Sequence, residues 1–155
     1  MPRIVPLLAL LLTLPGLIAA QSRPLVGSWD VTVPAGVRIE NGESTPIFTK
    51  GLLNISAEGD SLIGMLKVEP PAGMPARPVA RLAAGLATGQ VVFIQHSTAT
   101  INTNGVKSEY PVTNTYTLAA TGDTLTGTVA RAIEGLEGPM PTPQPITGTR
   151  VKSTG

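Results

Sequence analysis

The chain has 155 residues, no cysteine, one histidine, and a formal net charge of +1. Setting aside Arg3, which lies in the leader described next, the 11 basic residues fall to parity with the 10 acidic ones. That balance argues against nucleic acid, which demands a basic face, and against electrostatic attachment to an anionic membrane. The missing cysteines exclude disulfide staples and a thiolate metal site.

Residues 1–20 are read as a secretory signal peptide. Arg3 precedes an apolar run from Ile4 to Ala20, and Ile18-Ala19-Ala20 offers a small residue at the cut. Pro6, Thr13, Pro15 and Gly16 interrupt that run, which makes it a poor membrane span. The expected mature part is a single domain, residues 21–155, exported to a bacterial periplasm or the extracellular space, with no stable membrane span after cleavage.

The first strand is predicted over Leu25–Val33, where Trp29, Val31 and Val33 alternate with Ser28, Asp30 and Thr32. Pro34 is expected to end it, and residues 34–44 to form a long loop. A second strand covers Thr45–Ala57. The turn Glu58-Gly59-Asp60 follows, then a third strand from Ser61 to Glu69. Ala57-Glu58-Gly59-Asp60-Ser61-Leu62-Ile63-Gly64 recurs as Ala120-Thr121-Gly122-Asp123-Thr124-Leu125-Thr126-Gly127. Each copy stands between alternating apolar runs, which is the pattern of a tight hairpin used twice.

Residues 70–78 are proline-rich and predicted as a loop. Val79–Ala87 has a composition that would also suit a short helix, but Thr88-Gly89 makes strand the better reading. The fifth strand runs from Gln90 to Ile101 and ends at the Asn104-Gly105 hairpin signal. The sixth covers Val106–Ala119, with a bulge or an edge position expected at Pro111. The seventh is Thr124–Ile133. A second proline-dense loop spans residues 135–145, and the last strand runs from Ile146 to Lys152.

These eight strands predict an all-β domain. The simplest closure is an eight-stranded antiparallel up-and-down barrel; a β-sandwich is the alternative. Connections would then alternate between two ends. The turns at Gly59, Gly89 and Gly122 make one end tight, and the proline-rich loops make the other open. Binding residues are commonly carried on loops above a rigid scaffold, so a ligand is expected at the open end.

Trp29 lies in Gly27-Ser28-Trp29, and Arg150 closes Gly148-Thr149-Arg150. Opening the first strand and ending the last, they are expected to meet in a cation–π contact. This arrangement resembles the lipocalin and avidin group of eight-stranded barrels, in which a Gly-x-Trp opens the first strand and a late Arg packs across the Trp. The repeated Gly-Asp-x-Leu-x-Gly turns are similar to those of small exported bacterial lipocalin-like domains. The chain departs from that group in lacking a cysteine pair, a helix before the last strand, and the several tryptophans of a biotin site. The resemblance therefore implies a structural role for Trp29 and Arg150 and carries over no biotin binding.

Catalytic chemistry is faint. His96 is the single histidine, and nothing marks a nucleophile or an orienting acid beside it. Asp60 and Asp123 are explained as turn residues, and a metal site lacks the ligands. Glu40 with Glu43, or Glu134 with Glu137, could be paired on paper for glycoside chemistry, but both pairs lie in or beside expected loops. The expectation is a non-enzymatic module with no cofactor and no metal. It would bind a small apolar molecule or a peptide at its open end, or else be a structural module with a filled core. A roomy barrel would be lined by Val33, Leu53, Ile55, Leu66, Val68, Phe93 and Tyr116, with Met74 and Met140 over its mouth.

Overall fold

The computed structural model describes residues 23–40, 43–70, 76–87, 90–103, 106–135 and 142–152. The expected signal peptide, the Thr88-Gly89 and Asn104-Gly105 turns, Met74 and Met140 lie outside these residues.

Eight strands close into one antiparallel barrel in sequence order, β1 back to β8. They are β1 (Gly27–Glu40), β2 (Glu43–Glu58), β3 (Ser61–Val68), β4 (Ala80–Ala87), β5 (Gln90–Thr103), β6 (Val106–Thr121), β7 (Thr124–Ile133) and β8 (Gln144–Arg150). A short 3₁₀ turn, Arg23–Leu25, precedes them. The sandwich alternative is thereby set aside.

Alternation decides which residues fill the barrel. Trp29, Val31 and Val33 point inward from β1, Leu53 and Ile55 from β2, and Leu62 and Leu66 from β3. Leu82, Val91, Phe93, Tyr116, Leu118, Leu125, Val129 and Ile146 complete one contiguous apolar cluster with Leu25. The opposite positions on β6, β7, β8 and β1 carry Thr115, Thr117, Thr126, Thr128, Thr147, Thr149 and Thr32, all solvent-facing or half-buried. Threonine suits that face twice over, because its branched Cβ favours the strand and its hydroxyl meets water.

Both copies of the repeated turn are tight hairpins. Glu58 pairs with Ser61 and Thr121 with Thr124. Gly59 and Gly122 share the same left-handed φ of 59°, which a side chain would resist.

Three expectations need correction. Residues 34–44 are not a long loop. β1 continues past Pro34 to Glu40 and pairs with β2 down to Glu40↔Glu43, with a bulge between Pro34 and Gly36. The bulge absorbs the proline, and the alternating Val37 and Ile39 resume the strand. Pro111 causes no bulge, since β5 and β6 keep register through Thr98↔Pro111. Its carbonyl accepts from Glu134 N at 2.9 Å, so its missing N–H points to that same side. β7 ends at Ile133, so Pro111 sits just past the last β6–β7 ladder pair, Val112↔Ile133, where a missing N–H is tolerated without a bulge. Strand ends also shift: β6 runs on to Thr121, and β8 spans Gln144–Arg150.

The hairpins β1–β2 and β5–β6 are longer than the barrel is tall. β8 accompanies β1 only from Trp29 to Thr32, and β3 accompanies β2 only from Gly51 to Glu58. β4 accompanies β5 only as far as Ile94, and β7 accompanies β6 only from Val112 onward. Two double-stranded ribbons therefore project from opposite sides of the open end.

Candidate functional site

The closed end is plugged by side chains. Trp29 is fully buried, and its indole N–H donates to Leu25 O at 2.8 Å. Arg150 Cζ sits 4.1 Å from the Trp29 ring centroid. Its terminal nitrogens donate to Val26 O at 2.9 Å and Pro24 O at 2.6 Å. Its Nε lies 3.4 Å from the Asp123 carboxylate of the second repeated turn. Gly27 lets the arginine in: a Cβ there would stand 2.6 Å from the Arg150 guanidinium, and its φ of 136° disfavours a side chain as well. Every part of Arg150 thus has a partner within the fold.

Above the plug the lumen is filled. Val33, Leu53, Ile55, Leu66 and Phe93, the candidate lining of a roomy barrel, are between 0% and 3% exposed; Tyr116 is 8% exposed. Val68 packs half-buried against the same cluster. A water-sized space beside these side chains would leave them measurably exposed. The structure brings the expected lining residues together, and it brings them together as a packed core.

The next layer toward the open end is polar, and sequence reasoning missed most of it. Gln95, Asn114 and Arg131 are direct cross-strand partners across β5, β6 and β7. Asn114 is 5% exposed and is the one buried polar side chain among the described residues. Arg131 Nε lies 3.1 Å from Asn114 Oδ1. Asn114 Nδ2 lies 3.2 Å from Gln95 Oε1, and the Tyr116 hydroxyl lies 3.2 Å from that same oxygen.

Donor logic fixes the direction of this network. An arginine nitrogen can only donate, so the Asn114 atom beside it is oxygen. The Asn114 nitrogen then faces Gln95, whose near atom must also be oxygen. Tyr116 therefore donates too. Burial pushes the Tyr116 hydroxyl above its usual pKa range, and the nearby Arg131 charge offsets part of that rise. The signal was present in the sequence. Gln95, Asn114 and Arg131 occupy the same parity as Phe93, Tyr116 and Val129, so each is a polar residue at a core-facing position.

His96 has the opposite parity. It is exposed on the outer wall, with Nδ1 3.2 Å from Thr113 Oγ1. No group of three His, Cys, Asp or Glu residues that could hold a metal occurs among the described residues. An open cleft of about 720 Å³ lies on the outer wall of β1, β2 and β3, beneath Pro70, Ala76 and Arg77. Its outward-facing lining mixes Lys50, Lys67 and Arg77 with Asp30 and Glu69. It does not communicate with the polar layer, which lies on the inner face of β5, β6 and β7.

Neither a family model, nor a curated protein, nor a solved structure matches the chain. The architecture, a closed eight-stranded antiparallel barrel, is compatible with a calycin-like fold.

Proposed function

We propose that this protein is an exported, non-enzymatic binding module of lipocalin-like design. Its barrel is a filled scaffold, and recognition of a small molecule or peptide takes place at the open end. The observation that carries this reading is the layering of the lumen. Apolar side chains fill it from Leu25 to Phe93, and the polar Gln95–Asn114–Arg131 row lies directly above them. An apolar ligand sunk deep in the barrel would have to displace that packing. A ligand at the open end meets polar groups and the roots of both ribbons instead.

The export reading is supported by the leader-like pattern of residues 1–20. The non-enzymatic reading is supported by the outward position of His96. The threonine-rich outer face is unlike the apolar band with which a barrel contacts lipid.

Native mass spectrometry of the protein purified from its own host tests the proposal. A small molecule or peptide that co-purifies, and is lost when the protein unfolds, is the expected result. Recovery of the bare polypeptide alone would favour the second reading, a structural or interaction module whose filled core serves only the fold. The near-zero exposure of Trp29 and Phe93 makes that second reading a real competitor.

A further inference from the structure

The polar row carries more than a location. Its hydrogen bonds converge on a single acceptor. Arg131 donates to Asn114, Asn114 donates to Gln95 Oε1, and Tyr116 donates to that oxygen as well. Gln95 Oε1 has thereby used both of its lone-pair directions, and Asn114 Oδ1 has taken the arginine. What the row has left is almost all donor: the amide N–H groups of Gln95 and the terminal N–H groups of Arg131. Among the described residues nothing accepts from either. No buried side-chain nitrogen or oxygen among the described residues lacks a partner, and Arg131 is solvent-exposed, so these spare donors open to solvent.

The charge has no counterpart within that frame. The ion pairs among the described residues are Arg81 with Glu58 and Arg150 with Asp123. Arg131 belongs to neither. It is held by Nε alone, which leaves the far edge of its guanidinium as a planar fork with two parallel N–H directions. That fork matches a carboxylate. Of the flanking inward positions, Val112 and Ile133 on the open side and Phe93 and Val129 beneath are apolar, while Ser97 opposite Val112 and Gln144 opposite Val129 are polar but uncharged. One positive charge with no ion-pair partner among the described residues suits one negative charge.

We propose that the Gln95–Asn114–Arg131 row is a binding site for a small organic monocarboxylate. The Arg131 fork takes the carboxylate, the Gln95 amide lines the same opening with its free N–H groups, and Asn114 holds the two side chains in place. The proposal rests on the reading of the open end as the binding face, and it supplies that face with a ligand class.

The test is a ¹⁵N NMR titration of the mature protein with sodium benzoate, and in parallel with benzamide, its neutral isostere. Expected are saturable benzoate-dependent shifts at Gln95, Asn114 and Arg131, and none with benzamide. Arg131→Gln retains a donor for Asn114 while losing the charge, and it should lower benzoate affinity at least about tenfold, the effect of a lost charge-assisted pair of about 1.4 kcal/mol. Arg81→Gln removes a positive charge from the outer wall and should leave the titration unchanged. Equal shifts with benzoate and benzamide, surviving in Arg131→Gln, would overturn the carboxylate assignment while the open end remained a binding face. Silence of the row toward both probes would overturn the assignment as well, and the host-purified mass measurement would then decide the broader reading independently.

Discussion

Arg150 at the closed end of the barrel and Arg131 at the open end are used in opposite ways. Arg150 at the closed end spends its π face on Trp29, its terminal nitrogens on two backbone carbonyls and its Nε on Asp123. Arg131 at the open end spends Nε on Asn114 and keeps the rest of its guanidinium facing solvent. Saturation marks a side chain that holds the fold together. Unspent donors in a constrained place mark one that can hold something else.

If the closed end is the stabilising end, its aromatic anchor should be the most costly residue to truncate. Trp29→Ala empties a fully buried site, orphans the stacking partner of Arg150 and removes the donor to Leu25 O. A loss of about 3–5 kcal/mol is expected, read as a lowered urea midpoint. A loss below about 1 kcal/mol would mean that the plug closes the barrel without stabilising it.

Arg150→Gln comes next. The cation–π contact contributes about 0.5–2 kcal/mol, and the carbonyl hydrogen bonds add to it. The Asp123 side chain is 63% exposed, so that ion pair adds little. The expected cost is about 2 kcal/mol by the same denaturation measurement. Asp123→Asn alone should change the midpoint by no more than a few tenths of a kcal/mol, about the value of an exposed pair.

Tyr116→Phe probes the floor of the open end. The hydroxyl donates to Gln95 Oε1, and its loss should cost about 1 kcal/mol at neutral pH. The alkaline limb carries a sign. Because burial raises the folded-state pKa of Tyr116 above its unfolded value, the folded state holds the proton longer. The associated stability is present below about pH 10, the ordinary tyrosine value, and declines as pH rises through the folded-state value. Circular dichroism of urea unfolding across that range should show a shallower alkaline decline in Tyr116→Phe. Parallel declines in the two proteins would mean that Tyr116 is not the group responsible.

The closed end was far more legible in the sequence than the open one, for a physical reason. A tight turn demands particular residues, so Gly59-Asp60 and Gly122-Asp123 declare themselves, and strict alternation declares the strands between them. A ribbon extending beyond the barrel demands less. Pro34 read as a stop because proline ordinarily ends a ladder, yet a single bulge accommodated it. The lining residues were placed on the correct face because parity alone determines it. Whether that face encloses space or packing depends on how side-chain volumes meet across eight strands, and no single strand contains that information. Arg131 was overlooked because an arginine near a strand end reads as solvated until its register beside Asn114 is known.

Arg131→Gln should therefore cost less stability than Arg150→Gln, under about 1 kcal/mol. Glutamine at this position retains a nitrogen donor for Asn114 Oδ1, so the buried asparagine keeps its partner and the convergence on Gln95 survives. Only the fork and the charge are lost, and within the described fold nothing depends on them. Urea denaturation of Arg131→Gln and Arg150→Gln side by side, with the Asn114 side-chain amide resonances as a check on the row, reads the difference directly. Equal losses would make the open-end arginine as structural as its counterpart and remove the contrast between the ends. A near-native midpoint with the Asn114 amide unmoved would leave the Arg131 guanidinium with no structural debt, and a charged fork that the fold does not need is one that a ligand can use.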